Sequence, residues 1–136
     1  MPFVLDASAT AAWCFPDENA LAANAAFDRL AHENALVPAL WWAEVRNVLI
    51  VGERRGRIDA IGTARFLADL QRLRIQIDRN PTSDLVLALA RRHRLTAYDA
   101  IYLELAGRFG IPLATLDARL AGAARAEGIP LLGMQQ

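Results

Sequence analysis

Lysine is absent from this chain of 136 residues, and all 15 of its basic side chains are arginine. The absence excludes mechanisms that need a lysine amine, among them Schiff-base chemistry and the phosphate-binding loop of many nucleotide hydrolases. Cys14 is the single cysteine, so an internal disulfide and a cysteine-based zinc site are excluded as well. Any chemistry must rest on other side chains.

Long hydrophobic runs and clustered histidines are also missing. No apolar stretch approaches the ~18 residues of a membrane span, and no basic start precedes the first apolar segment, which Asp6 interrupts. The two histidines, His32 and His93, stand apart in polar helical contexts, which favours a surface position over a catalytic role. We therefore expect a soluble, cytoplasmic protein with no membrane partner.

The net charge is zero, because 15 acidic side chains balance the 15 arginines. The balance is uneven along the chain: residues 45–98 hold 11 arginines and 5 acids, and the rest holds 4 arginines and 10 acids. A basic surface beside an acidic pocket suits an enzyme that binds phosphate, so the neutral total does not exclude nucleic acid. The alternative is that some of these arginines only pair with local acids.

Short apolar runs alternate with longer helical patterns along the whole length. Strands are predicted at 2–5, 35–37, 74–78, 112–116 and 129–132. Helices are predicted at 7–15, 16–32, 38–55, from 59, and at 81–93, 96–109 and 118–127. Such alternation predicts a parallel sheet covered on both faces. We expect residues 1–136 to form a single domain, a three-layer α/β/α fold with a central parallel sheet of four to five strands.

Most of the acidic residues have an ordinary structural explanation. Two of them, Asp17 and Asp59, have the position of a helix N-cap. Others take part in pairs with the i,i+4 spacing of exposed ion pairs on a helix. These pairs are Glu53 with Arg57, Arg65 with Asp69, and Glu104 with Arg108.

Four acids do not fit this picture. Asp6 and Asp117 each follow a predicted strand, and ligands of parallel α/β sheets bind outside the carboxyl ends of the strands. Glu44 and Asp99 lie on apolar stripes of predicted helices, where an uncompensated charge is costly. Each acid could bond to an arginine or a helix N-terminus, as Asp99 could in the first turn after Thr96. The alternative is that all four converge on one divalent cation.

Oxygen ligands without cysteine or histidine select a hard ion, Mg²⁺ or Mn²⁺. Such a centre serves phosphodiester hydrolysis, because it activates water and stabilises a phosphate oxyanion. Without the metal, close carboxylates should repel one another and raise some of their pKa values. Three polar residues near the acids could bond to a ligand or water, although the first could instead cap a helix: Ser8, Asn47 and Thr115.

Four segments resemble, in order, the PIN-domain ribonucleases, and most closely the VapC toxins of bacterial toxin–antitoxin pairs. The segments are VLDAS, PALWWAEVRNVL, TAYDAIYLELA, and LATLD with ARLAGAARAEGIPLL after it, and they cover nearly the whole chain. The resemblance implies catalytic, metal-binding roles for four acids, of which the last is the least strictly kept: Asp6, Glu44, Asp99 and Asp117. It also implies cofactor-binding polar positions beside them at Ser8, Asn47 and Thr115.

The resemblance further implies a Mg²⁺- or Mn²⁺-dependent endoribonuclease that acts on structured RNA, often tRNA or ribosomal RNA. It implies a homodimer and a small cognate antitoxin whose tail enters the active-site groove. The chain departs from the family pattern at Leu120, where an aromatic residue often follows the fourth acid. It also departs in composition, because arginine alone must hold the RNA.

Two other functions compete with this hypothesis. One is a catalytically silent PIN-like module that binds RNA or a partner, although the presence of all four acids argues against it. The other is a phosphatase or phosphoacceptor, but the segment after Asp6 lacks the second aspartate of a DxD motif and no lysine exists. The adjacent Trp41 and Trp42 leave a further choice open, since both could pack in the core or one could lie at a dimer or antitoxin interface.

Overall fold

The computed structural model describes residues 1–15 and 21–133. Its strands are β1 (Phe3–Leu5), β2 (Ala35–Pro38), β3 (Ile75–Asp78) and β4 (Leu113–Ala114). Its helices are α1 (Ala7–Ala12), α2 (Leu21–Arg29), α3 (Leu40–Arg54), α4 (Ala60–Leu70), α5 (Ser83–His93), α6 (Ala97–Phe109) and α7 (Ala118–Ala126). The helix start expected at Pro16 and Asp17 lies outside the described residues.

The four strands form one parallel sheet in the order β3-β2-β1-β4. Strand β1 is central, and Val4 aligns with Leu36 on one side and Leu113 on the other. All three residues of β1 are 0% exposed. Because successive strand residues point to opposite faces, both faces of the sheet are covered. The predicted three-layer architecture is confirmed.

The expected fifth strand is reduced to a single parallel bridge between Leu131 and Leu113. Pro130 precedes that bridge and has no N–H to donate, which limits further pairing. Strand β4 is likewise shorter than expected, because the backbone N–H of Asp117 already donates to the Thr115 hydroxyl as the chain turns into α7. The sheet therefore has four strands within the described residues.

Two helix ends show why apolar periodicity gives only approximate bounds. Helix α1 ends at Ala12 instead of Phe15, in keeping with the bias against helical backbone before Pro16. Helix α4 begins as predicted, because the Asp59 carboxylate caps it by accepting from the Gly62 N–H at 2.7 Å. No described helix is both long enough and apolar enough to cross a membrane.

The two adjacent tryptophans differ in their exposure to solvent. Trp41 is buried, and its indole N–H donates to the Thr10 hydroxyl of α1 at 3.0 Å. Trp42 is 55% exposed, and the Arg46 guanidinium lies 3.9 Å from the centre of its ring. Core packing of both tryptophans is therefore excluded.

The prediction that Glu104 and Arg108 form an exposed ion pair is wrong, because Glu104 is only 1% exposed. Arg108 donates to both Glu104 oxygens and, at 2.7 and 2.9 Å, to both oxygens of Asp78 at the end of β3. The physical cause is the packing of helix α6. Helix α6 packs against the sheet and against α5 and α7, and its residues 102–106 are all buried, so it has no polar face there.

Candidate active site

Asp6 and Asp117 meet at the carboxyl edge of the sheet, because β1 and β4 are neighbouring parallel strands. Each follows its strand closely and caps the next helix. The Asp6 carboxylate accepts from the Ala9 N–H at 2.9 Å, at the start of α1. Asp117 accepts from the N–H groups of Arg119 and Leu120 at 2.9 and 3.1 Å, at the start of α7. The strand ends and the caps together fix both carboxylates.

Glu44 and Asp99 reach the same place from α3 and α6. The Tyr102 hydroxyl donates to Glu44 Oε1 at 2.6 Å, which ties the two helices together. Tyr102 lies one turn after Asp99 on α6. Asp99 itself stands in the first turn, where its N–H donates to the capping hydroxyl of Thr96 at 3.1 Å. Asp99 therefore lies at the N-terminus of α6, the position that the sequence indicated as an alternative to metal binding for this acid.

All four acids line one cavity of about 550 Å³, which we call the acidic pocket. Ser8 and Asn47 line it as well, together with Tyr98 and Tyr102. Among the described residues that line it there is no arginine or histidine. The fold thus brings together residues that are up to 111 positions apart in the chain.

The hydroxyls of Ser8 and Thr115 both bond to Asp6. Ser8 donates to Asp6 Oδ1 at 2.7 Å and accepts from the Leu116 N–H at 2.9 Å. Thr115 is buried behind the pocket and donates to Asp6 Oδ2. Both hydroxyls therefore orient the Asp6 carboxylate, whereas the sequence suggested contact with a ligand or water. Asn47 is exposed in the pocket, one turn after Glu44 on the same face of α3.

Burial raises the pKa of Asp6 to about 6, and three hydrogen bonds to the carboxylate only partly oppose this shift. The charge of Asp117 raises it further. Burial is also the main cause that raises the pKa of Asp99, followed by the charge of Asp117. The pKa of Glu44 is raised by burial and, to a smaller extent, by Asp99. The expected repulsion is present, but burial dominates it.

Residues 1–15 and 21–133 hold no group of three or more carboxylates, imidazoles or thiols placed to hold a metal ion. Oxygens of Asp6, Glu44 and Asp117 instead accept hydrogen bonds from groups of the chain. The donor set nevertheless fits a hard divalent cation. It is made of oxygens, and neighbouring negative charges raise the pKa values of several of its members.

Tyr102 is a site residue to which the sequence assigned no role. Its side chain is buried, and a buried tyrosine hydroxyl usually has a hydrogen-bond partner. Its pKa is raised, mainly by burial and then by the bond to Glu44. The sequence feature that could have pointed to Tyr102 is its position three residues after Asp99 in the segment AYDAIYLEL, which places both on one helix face.

The arginines of residues 45–98, the part of the chain with excess positive charge, do not form one surface. Arg55 and Arg57 line a second cavity that adjoins the acidic pocket. Arg92 instead forms an ion pair with Glu127 at 2.8 Å, and Arg74 lines a different cavity that lacks the four acids. The excess positive charge seen along the sequence is therefore divided in space, and only part of it lies next to the candidate site.

Known proteins resemble this chain over most of its length. A family model described as PIN domain matches residues 3–126. Ribonuclease VapC3 of Pyrobaculum aerophilum is 34% identical over 125 residues, which are 89% of this chain and 93% of the relative. The crystal structure of PAE2754 from Pyrobaculum aerophilum has a TM-score of 0.74 at 29% identity, covering 96% of this chain and 83% of that one. Mycobacterium tuberculosis VapC20, a sarcin–ricin loop cleaving toxin, shares the fold with a TM-score of 0.61 at 15% identity, covering 89% of this chain and 94% of that one.

Proposed function

The chain belongs to the PIN-domain family, and from that premise we propose that it is a Mg²⁺- or Mn²⁺-dependent endoribonuclease. One observation carries the proposal. Four carboxylates, two at the N-caps of α1 and α7 and two on α3 and α6, line a single pocket that has no arginine among its described lining residues. The ribonuclease at 34% identity supports RNA as the substrate.

Asp6 and Asp99 would hold the metal ion, and Glu44 and Asp117 would assist them. A bound ion would supply an activated water and a positive charge beside the scissile phosphate. The protein's own contribution is to position these ligands. Tyr102 remains protonated near neutral pH, because its pKa is raised, and so its hydroxyl can hold one oxygen of Glu44.

The hydroxyls of Ser8 and Thr115 contribute in the same way on the other side of the pocket. They donate to different oxygens of Asp6 and so fix the plane of its carboxylate. Partners that orient a ligand in this way typically change metal affinity when they are removed. Asn47 carries its amide on the exposed side of the pocket, where it can bond to the RNA or to water.

We expect structured RNA, tRNA or ribosomal RNA, to be the target. The sarcin–ricin loop cleaving activity of VapC20 supports a toxin role, although that protein shares only the fold. A cell that makes such a nuclease needs to neutralise it, so the proposal includes a small cognate antitoxin. It also includes a homodimer, which light scattering of the purified protein tests directly.

The test is cleavage of total RNA by the purified protein without any partner, in the presence of Mg²⁺ or of EDTA. We expect cleavage with Mg²⁺ only. Attack by water leaves 5′-phosphate and 3′-hydroxyl ends, whereas attack by the 2′-hydroxyl of the RNA leaves a cyclic phosphate. Sequencing of the fragment ends therefore distinguishes the two reactions and identifies the target.

Substitutions at the acids complete this test. Asp6→Asn and Asp99→Asn should each abolish cleavage and leave the circular dichroism spectrum unchanged. Asp69→Asn is the matched control, because Asp69 is exposed on α4 and lies outside the pocket. Retained cleavage in both pocket variants would overturn the metal mechanism. Absence of cleavage by the unmodified protein would favour the silent binding module.

A further inference from the structure

One stripe of α3 and of the residue that follows it runs from the acidic pocket to just beyond the end of the helix. Its members recur at the spacing of a single helix face: Glu44, Asn47, Val48, Val51, Gly52 and Arg55. Asn47 and Val48 line both the acidic pocket and the neighbouring cavity of about 180 Å³. The two cavities are therefore parts of one continuous groove.

The opposite wall of this groove comes from α1 and the residues after it. Ala7 and Ser8 line the acidic part, and Ala11 and Phe15 line the second part. Helices α1 and α3 pack against each other, which keeps the two walls together. We call this feature the α1–α3 groove.

The two ends of the α1–α3 groove carry opposite charge. The acidic pocket forms one end, and Arg55 and Arg57 line the other. The Arg57 guanidinium lies 4.3 Å from the centre of the buried Phe15 ring, a contact that orients it. Arg55 is exposed just beyond the end of α3. Between the two ends, Val48 and Val51 give the groove an apolar floor.

We propose that Arg55, at the end of the α1–α3 groove away from the acidic pocket, binds a backbone phosphate of the same RNA strand whose scissile phosphate lies in the acidic pocket. This inference rests on the proposed function. Guanidinium groups bind phosphate through paired hydrogen bonds, and an apolar floor suits the sugar and base surfaces between phosphates. Asn47 and Arg55 are eight residues apart, or about 12 Å along the helix. One phosphate cannot span that distance, so the site requires a polynucleotide.

Binding of a labelled single-stranded RNA oligonucleotide, measured by fluorescence anisotropy in EDTA over a series of salt concentrations, tests the proposal without catalysis. Each phosphate contact on a single strand contributes ~0.7 to the slope of log affinity against log salt. Arg55→Gln should lower the slope by about this amount, which is about fivefold in affinity over a tenfold salt range. Arg54→Gln is the matched control, since Arg54 is the exposed neighbour on α3 and lines neither cavity.

The slopes of the two variants decide whether Arg55 binds a phosphate. A smaller slope for Arg55→Gln, with an unchanged slope for Arg54→Gln, supports the phosphate site. Equal slopes for the two variants overturn it, and they leave the proposed function intact if the unmodified protein still cleaves RNA. If the unmodified protein neither binds the oligonucleotide nor cleaves RNA, the inference and the proposed function fail together.

Discussion

Two groups of carboxylates withdrawn from solvent lie on different sides of α6, and they differ in what compensates their charge. Asp78 and Glu104 share the guanidinium of Arg108, which holds the pKa of Asp78 below its usual range. In the acidic pocket no described lining residue is an arginine. There, the pKa values of Asp6, Glu44 and Asp99 are raised.

We interpret this difference as one between acids that support the fold and acids that we propose to bind a cation. A buried carboxylate costs free energy unless a charge or several hydrogen bonds compensate it. Arg108 compensates Glu104 within the chain, so that cluster is complete. The acidic pocket has hydrogen bonds but no arginine among its described lining residues, and the charge of Arg119 only partly opposes the raised pKa of Asp99. We expect a bound cation to complete the compensation.

The largest effect on stability is expected at Arg108. Replacing it by methionine keeps much of the packing but leaves Glu104 buried without a cation, which typically costs about 3–5 kcal/mol. Urea denaturation measures the loss in free energy of unfolding. Arg125→Met is the control, because Arg125 is exposed in the last turn of α7. A loss of similar size in both variants would show that Arg108 does not stabilise the fold through this cluster.

The pH dependence of stability should have opposite signs in the two groups. The pKa of Asp6 rises from 3.8 to about 6 on folding. Between these values the folded state binds more protons, so the free energy of unfolding should fall by about 3 kcal/mol as the pH rises from about 3 to 7, with about 2 kcal/mol of the fall between about pH 4 and 6. The lowered pKa of Asp78 acts in the other direction, giving stability that is lost as the pH falls below 3.8.

Denaturation in urea and EDTA over this pH range tests the contribution of Asp6. In Asp6→Asn the decrease between about pH 4 and 6 should become smaller, since the titrating group is gone. The rest of the pH profile should be kept. An unaltered decrease in that variant would assign it to other groups.

Divalent cations should stabilise the protein through the acidic pocket alone. If the ion binds only the folded state, Mg²⁺ at about 100 times its dissociation constant adds about 2.7 kcal/mol. Thermal denaturation with and without Mg²⁺ measures this gain. Asp99→Asn should lose most of it. Asp78→Asn should keep it even though that variant is less stable, so an equal gain in both variants would contradict a metal site in the pocket.

The smallest expected effect concerns Tyr102. Tyr102→Phe removes the hydroxyl that holds Glu44, and loss of such a supporting bond typically weakens metal binding by about tenfold. Titration with Mn²⁺, followed by electron paramagnetic resonance, measures the affinity without the cleavage reaction. Tyr98→Phe is the control, because Tyr98 lines the same pocket but is exposed. Unchanged affinity in Tyr102→Phe would mean that Glu44 needs no help from this bond.

The sequence predicted the order of strands and helices well, because each element has its own local signal. Asp59, Thr96 and Gly110 all stand at the helix ends where capping rules place them. The predicted exposure of Glu104 was wrong because exposure, unlike a helix end, has no local signal in the sequence. Its i,i+4 spacing to Arg108 is the same on an exposed helix and on a buried one, and only packing distinguishes the two cases.

The candidate site shows the same division. Asp6 and Asp117 could be placed at the sheet edge from the strands that precede them. Glu44 and Asp99 could only be singled out by their apolar neighbours, with convergence on one cation as one of two alternatives. The roles of Tyr102 and Thr115 could not be predicted from the sequence, because their hydrogen bonds join residues 58 and 109 positions apart. Nor could the sequence separate Arg55, which adjoins the pocket, from Arg92, which pairs with Glu127.

What the sequence by itself determined is the chemistry available to this protein. It has carboxylates and arginines, it lacks lysine, and its lone cysteine cannot form an internal disulfide. Only the tertiary structure decided which carboxylates share an arginine and which face one another in a pocket. The physical reason is that spacing along the chain is fixed by covalent geometry, whereas compensation of a buried charge depends on groups that folding brings within a few ångströms.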